Sequence, residues 1–292
     1  METIPAKTIV CRTKDSGWFG ADYNMNIYRG CPHGCIYCDS RSTCYQNTDF
    51  DRVKAKENAL QIIRDELRRK VKTGVISTGS MSDPYNPLEE KHKLTRNALE
   101  LINAYGFGVA IATKSALVCR DANILRDIQS HSPVLVKVSI TTADEGLQKI
   151  IEPGASGTAE RFAALKALAE KGICCGVLLM PVLPFLNDSE ENVIEILERA
   201  KAAGASFVYP AFGMTLREGN REHYYQALDR HFPGLKETYI KRYGQRYSCP
   251  SPKAKKLWEL FAARCEQLGI LYNMKAITGR YRMGYGDGQL TL

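Results

Sequence analysis

No apolar run in these 292 residues approaches the ~20 needed to span a bilayer, so a helical membrane span is excluded. The opening METIPAKTIVCRTKD has no hydrophobic segment of the kind a secretory leader carries. The expectation is a cytoplasmic protein. Internal repeats, low-complexity tracts and a clear linker are also missing, which excludes solenoid and fibrous architectures. There is no Walker loop and no zinc-protease helix. The glycines of MGYGDG (Gly284, Gly286, Gly288) lack the strand and helix of a nucleotide fingerprint and are expected to form a loop.

Cysteine is what the chain does have, ten of them. Without an export signal they do not suggest a disulfide framework. In a reducing compartment clustered thiols bind metal or carry redox chemistry. Seven are scattered (Cys11, Cys44, Cys119, Cys174, Cys175, Cys249, Cys265) and are expected to be inert. The other three, Cys31, Cys35 and Cys38, fall in one stretch, NIYRGCPHGCIYCDSRS.

Charge is distributed unevenly. Residues 1–215 hold 26 Lys/Arg against 25 Asp/Glu, whereas 216–292 hold 14 against 7, so nearly all of the net +8 lies in the last quarter. That quarter also carries 8 of the 15 tyrosines. A basic, aromatic-rich segment is one footprint of nucleic-acid binding, and a solvated surface is the plainer alternative.

Short β-branched runs alternate with amphipathic stretches. Strands are expected at 24–28, 74–79, 107–113, 133–140, 173–180 and 205–210, and helices at 53–72, 94–105, 120–130, 158–171 and 189–203. Asp188 with Glu191 suggests a helix cap, and Gly172 closes the helix before it. Six strand–helix repeats imply an α/β fold, a parallel sheet with helices outside. In barrels of this kind chemistry sits in loops at the C-terminal strand ends, where the cysteine loop falls. After residue 215 the rhythm stops; a helix near 252–267 and a strand at 270–276 are expected. The core is therefore assigned to 1–215 and a basic, Tyr-rich extension packed on it to 216–292.

Four readings of the cysteine trio compete. Structural zinc needs four ligands, so His33 or Cys44 would have to join, and no second CxxC pair exists. A Cys35–Cys38 redox couple leaves Cys31 unexplained. Inert core thiols conflict with the irregular loop that Gly30, Pro32 and Gly34 imply. A [4Fe-4S] cluster on three thiolates would leave one iron open to a ligand, as reactive metal sites do.

The spacing C-x3-C-x2-C, with Tyr37 just before the last cysteine, resembles the signature of the radical S-adenosylmethionine superfamily. That resemblance implies a partial (β/α)6 TIM-like barrel with the cluster loop after strand one. It also implies a [4Fe-4S] cluster on Cys31, Cys35 and Cys38, S-adenosylmethionine on the open iron, and an external electron donor such as flavodoxin or ferredoxin. STGSMSDPYNPLE (77–89), ATKSALVCRD (112–121), VSITT (138–142) and EPGASGTAER (152–161) together resemble the group related to spore photoproduct lyase, a DNA-repair enzyme. By that resemblance Ser82, Lys114 and Ser139 contact S-adenosylmethionine, and the backbone around Tyr37 meets its adenine. Lys114 offers a positive charge for the carboxylate. Glu152 and Arg161 are expected to form an ion pair at the rim.

One departure stands out. The lyase has a cysteine two positions before its cofactor serine, and this chain has Ser80 there. A serine O–H bond is too strong to return a hydrogen atom usefully. Cys119, Cys174, Cys175 and the tyrosines are the alternative donors. The final QLTL, Gln289 to Leu292, resembles a sliding-clamp peptide without its closing aromatic residue. The leading expectation is radical chemistry on nucleic acid. The alternatives are the same chemistry on a peptide or small metabolite, and a non-enzymatic clamp-associated protein whose cluster is closed by Cys44 or His33.

Overall fold

A computed structural model of the protein describes residues 2–14, 16–47 and 49–285. The clamp-like Gln289–Leu292 lies outside the described residues. The chain begins with short strands β1 (Thr3–Ile4), β2 (Val10–Arg12), β3 (Tyr23–Met25), β4 (Tyr28–Arg29) and β5 (Lys54–Lys56), then helix α1 (Ala59–Arg69). The regular repeats follow: β6 (Val75–Thr78), α2 (Pro87–His92), α3 (Leu94–Ala104), β7 (Gly108–Thr113), α4 (Ala122–Gln129) and β8 (Val134–Ser139). Next come α5 (Glu145–Ile151), α6 (Thr158–Glu170), β9 (Cys175–Leu179), α7 (Glu190–Ala202) and β10 (Phe207–Pro210). The extension contains β11 (Gly213–Thr215), α8 (Asn220–His231), α9 (Leu235–Tyr243), β12 (Ser248–Pro250), α10 (Ala254–Leu268) and α11 (Met274–Arg282).

Six strands run parallel, in the order β3-β6-β7-β8-β9-β10, and β2 adds antiparallel to β3 at one edge. This is the parallel sheet the sequence pattern implies, curved into the partial barrel the resemblance implies. Side chains alternate across each strand. On β8, Val134, Val136 and Val138 join the core under the helices, while Leu135 joins Phe19, Val75, Ala110, Leu178 and Phe207 inside the barrel. Ile277 and Tyr281 of α11 complete that inner cluster, and Tyr281 donates a 2.6 Å hydrogen bond to the Phe19 carbonyl. Helix α11 therefore closes the N-terminal end of the barrel, opposite the strand ends that carry the cysteine loop.

Four expected elements differ. The run at 24–28 splits: the chain leaves the main sheet after Met25, and β4 joins a side sheet of order β1-β5-β4. The helix expected from 53 starts only at Ala59, because buried Ala55 pairs with both Thr3 and Tyr28 and holds 54–56 as a strand. Over 270–276, only Leu271 makes a bridge, to Phe207. Asn273 then accepts hydrogen bonds from the amides of Lys275 and Ala276 and turns the rest into α11. The cap of α7 is Ser189, whose hydroxyl accepts from the Asn192 amide at 3.1 Å; Asp188 instead binds the Phe185 amide and the Ser251 hydroxyl.

Helices α8 and α9 lie against the cysteine loop. Tyr224, Tyr239 and Tyr243 pack with Cys35, Ile36, Tyr37, Ile151 and Leu183 in a second core. Arg221 donates to the carbonyls of Leu216, Gly244, Gln245 and Arg246 and so stitches this layer together. Tyr224, Tyr239, Tyr243 and Tyr281 are thus internal, whereas Arg221 is the one buried cation of this segment among the described residues. Arg217, Lys236, Lys256, Arg264 and Arg282 pair with acids, while Arg230, Lys241, Arg242 and Arg246 are exposed.

Candidate active site

Backbone contacts fix the cysteine loop before any side chain acts. The Cys31 amide donates to Phe50 O at 2.8 Å, Ile36 N to Ile151 O at 3.0 Å, and Gly154 N to His33 O at 2.8 Å. Gly30 has φ +82°, and a Cβ there would sit 2.7 Å from two carbonyl oxygens, those of Phe50 and Arg52. Only glycine can lead into Cys31 along this path.

The three thiols open on one cavity of about 130 Å³ at the C-terminal strand ends. Ser80, Ser82 and Asp83 reach it from the loop after β6, Lys114 from the end of β7 and Ser139 from the end of β8. Gly79 makes the β6 corner possible: at φ +95° a Cβ would lie 1.9 Å from the Ala112 carbonyl oxygen. Six of the seven residues singled out from the sequence therefore meet at one place. Tyr37 does not line it; its ring is buried in the second core with Lys114 Nζ 5.7 Å from the ring centre.

Asp83, which the sequence reading passed over, is the hub. Its carboxylate accepts from the Thr113 hydroxyl at 2.7 Å, the Lys114 amide at 2.7 Å and the Tyr85 amide at 2.8 Å, and it stands 3.5 Å from His33 Nδ1. Its place directly after Ser82 and before a proline was the available signal. Ser82 donates to the Gly30 carbonyl and so ties the β6 loop to the cysteine loop.

Glu152 and Arg161 do form an ion pair, at 2.6 Å, but not at the rim: neither side chain has any exposure. The carboxylate also receives the Tyr37 hydroxyl, and Arg161 Nη1 donates to Ser139 O at 2.7 Å. Burial works against the Glu152 charge, but Arg161 and Lys114 outweigh it and hold the carboxyl below its usual range. Burial likewise opposes the Lys114 ammonium, and Cys35 and Glu152 together keep its pKa above the ordinary value.

Burial, helped by Asp83, pushes the Cys31 thiol up to about 12, and burial drives Cys35 well above its normal value. Such thiols ionise when a cationic centre joins them. Among the described residues no three His, Cys, Asp or Glu side chains are placed to hold a single metal ion. Three free thiols around one cavity suit the corners of a larger cluster better than one tetrahedral ion. Of the two proposed closing ligands, His33 lines the same cavity and faces Asp83 at 3.5 Å, whereas Cys44 does not line it and lies exposed beside Arg217, 3.5 Å from its Nη1.

The three cysteines offered as alternative hydrogen donors are elsewhere. Cys119 and Cys175 donate to carbonyls of α6, at Ala164 and Leu165, in the layer outside the barrel. Cys174 packs with the inner cluster that contains Tyr281, at the far end.

Lys137 was also missed. It shares the inward parity of Leu135 and Ser139, is 1% exposed, and has no hydrogen-bond or carboxylate partner among the described residues. Its ammonium lies 4.7 Å from the centre of the Phe19 ring. A single lysine amid VLVKVS was the sequence signal.

Residues 25–197 match the family model described as the radical SAM superfamily. An uncharacterized protein of Mycobacterium tuberculosis strain H37Rv is 34% identical over 228 residues, covering 76% of this chain and 67% of the relative. An uncharacterized protein of Methanocaldococcus jannaschii is 36% identical over 174 residues, 59% of this chain and 64% of that one. Among solved structures, spore photoproduct lyase complexed with dinucleoside spore photoproduct is similar at TM-score 0.65 and 19% identity, covering 89% of this chain and 76% of that one. The radical S-adenosylmethionine methyltransferase TsrM of Kitasatospora setae, with a tryptophan substrate bound, is similar at 0.57 and 12%, covering 90% and 58%.

Proposed function

Because the chain belongs to the radical SAM superfamily and is therefore an enzyme that uses S-adenosylmethionine and a [4Fe-4S] cluster, we propose that it acts on nucleic acid, repairing a DNA lesion or modifying a base. The observation that carries the chemical part is the convergence of three thiols, Lys114, Ser82 and Ser139 on one cavity. When bound, the cluster supplies the electron that cleaves S-adenosylmethionine to a 5′-deoxyadenosyl radical for hydrogen abstraction.

In this reading Cys31, Cys35 and Cys38 hold the iron. Lys114 sets a positive charge against the cofactor carboxylate, and Ser139 offers a hydroxyl to its polar groups. Ser82 fixes the cavity wall and offers its oxygen as an acceptor. Asp83 orients Lys114 through the backbone amide, and the Glu152–Arg161 pair keeps Tyr37 and Ser139 in place. Ser80 lines the cavity but cannot return a hydrogen atom, so the chain uses a different donor from the lyase or ends in a different product. Residues 1–215 form the catalytic core; of the extension, α8 and α9 back the cysteine loop and α11 closes the far end of the barrel. A one-electron donor is required, and flavodoxin or ferredoxin fits that role.

Nucleic acid is favoured by the fold shared with a lyase solved with a dinucleoside photoproduct, by the net charge of +8, and by the exposed Lys241, Arg242 and Arg246. A second reading, a peptide or small-metabolite substrate, is favoured by the burial of Tyr224, Tyr239, Tyr243 and Tyr281 and by the paired cations of the extension. Anaerobic reconstitution, followed by titration with UV-irradiated and undamaged oligonucleotides across a salt series, separates the two. Binding that weakens with salt supports nucleic acid; no binding at low salt leaves the second reading.

A further inference from the structure

A second hollow lies beside the cofactor cavity. It measures about 300 Å³ and runs between the N-terminal segment 4–8 and the cysteine loop. Ser40, Phe50 and Met81 line both spaces, so the two adjoin through a shared wall.

Its lining is one-sided in charge. Lys7, Arg29 and Lys56 contribute three cations, and among the described residues no aspartate or glutamate lines it. None of the three is in an ion pair among the described residues. Arg29 donates from Nη2 to the Gln46 carbonyl, a neutral partner. Glu66, the carboxylate that acts on Lys56, is held by the amides of Ile9 and Val10 at 3.1 and 2.7 Å. Three cations without an ion-pair partner around one hollow raise the local concentration of anions.

The other walls are flat or amide-bearing. Tyr45 and Phe50 present rings. Asn26 lines the same hollow, and its Oδ1 is buried without a hydrogen-bond partner. A buried acceptor left unmade is destabilising, and a turn of the Asn26 side chain toward the hollow would let a ligand N–H satisfy it. Cations for phosphate, rings for stacking and a free acceptor for an N–H edge make up the chemistry that recognises a single-stranded nucleotide.

We propose that this cleft seats one nucleotide of a single strand. Its phosphate faces Lys7, Arg29 and Lys56, its base lies beside Tyr45, Phe50 and Asn26, and the neighbouring residue of the strand passes Met81 into the cofactor cavity. The assignment rests on the nucleic-acid reading above and locates it on the N-terminal side of the cysteine loop, where Arg217 of the extension lies 5.9 Å from the centre of the Tyr45 ring. It also accounts for how a base reaches the cavity, since chemistry on a base requires taking it out of the stack.

The test uses anaerobically reconstituted full-length protein and a short fluorescein-labelled oligothymidylate, read by anisotropy. A Lys7→Gln/Arg29→Gln/Lys56→Gln variant with wild-type iron content and melting temperature should bind at least about tenfold more weakly. The slope of log K against log salt should fall by roughly 0.7, the value for the one phosphate that is no longer neutralised. In parallel, a strand carrying 4-thiothymidine is photocrosslinked and the adducts mapped; they should fall on Tyr45, Phe50 or Met81. Wild-type affinity in the triple variant, or adducts confined to residues 216–285, would overturn the cleft while leaving a nucleic-acid substrate standing. Absence of strand binding by the wild type, with 5′-deoxyadenosine still formed under dithionite, would overturn both the cleft and the nucleic-acid substrate and leave the radical chemistry intact.

Discussion

Arg161 and Glu152 meet at 2.6 Å behind the cysteine loop, with both side chains at zero exposure. Removing one partner of such a pair leaves the other charge buried and uncompensated, at about 3–5 kcal/mol. Glu152→Ala should therefore lose about 3 kcal/mol in urea unfolding, and Arg161→Met a similar amount. The double variant should be less damaged than the sum of the two, because it removes both charges of the pair together. Simple additivity in that cycle would show that the pair is not coupled.

The thiols give a sharper division. Alanine at Cys31, Cys35 or Cys38 should each abolish the brown absorbance of the reconstituted protein and reduce bound iron severalfold. Cys44→Ala should keep both, because Cys44 is exposed beside Arg217 and does not line the cavity. Retention of a full iron complement by any of the three, measured under anaerobic conditions, would show that the cluster is held elsewhere.

The barrel was legible because its strands are short β-branched runs separated by helices, a pattern that survives in sequence. The cysteine trio was legible because its ligands are local. What escaped was non-local. Asp83 matters because Thr113, Lys114 and His33 are brought to it from separate segments. The Glu152–Arg161 pair was foreseen, but its depth was not, since burial comes from α8 and α9 closing over the loop. Tyrosines read as a nucleic-acid footprint are largely core, because Tyr224, Tyr239 and Tyr243 fill that closure. The side sheet at 54–56 was missed because its partners, β1 and β4, lie far apart in sequence.

Lys114 should separate cofactor binding from cluster assembly. If its ammonium meets the S-adenosylmethionine carboxylate, Lys114→Met removes a charge-assisted hydrogen bond of about 1.5–3 kcal/mol. The expected result is a rise of roughly 10- to 100-fold in the S-adenosylmethionine concentration needed for half-maximal 5′-deoxyadenosine formation, with iron content unchanged. An unchanged concentration dependence would assign Lys114 a structural role at Tyr37 instead.

Lys137 supplies a pH signature of stability. Burial depresses its pKa from 10.5 to about 7, with no charged group compensating among the described residues. An unfolded lysine keeps its proton up to about pH 10, whereas the folded one releases it near pH 7. Between these values the unfolded state binds more protons, so stability rises with pH. The penalty is full below pH 7 and fades as pH climbs through the folded value toward the unfolded one. Lys137→Met should therefore stabilise the protein by an amount on the order of 4 kcal/mol at pH 7, shrinking steadily by pH 10. Urea unfolding of both proteins at pH 7, 8.5 and 10 measures the difference. A gap that stays constant across that range would mean that the amine is paired inside the barrel, and a gap that widens would reverse the sign of the linkage.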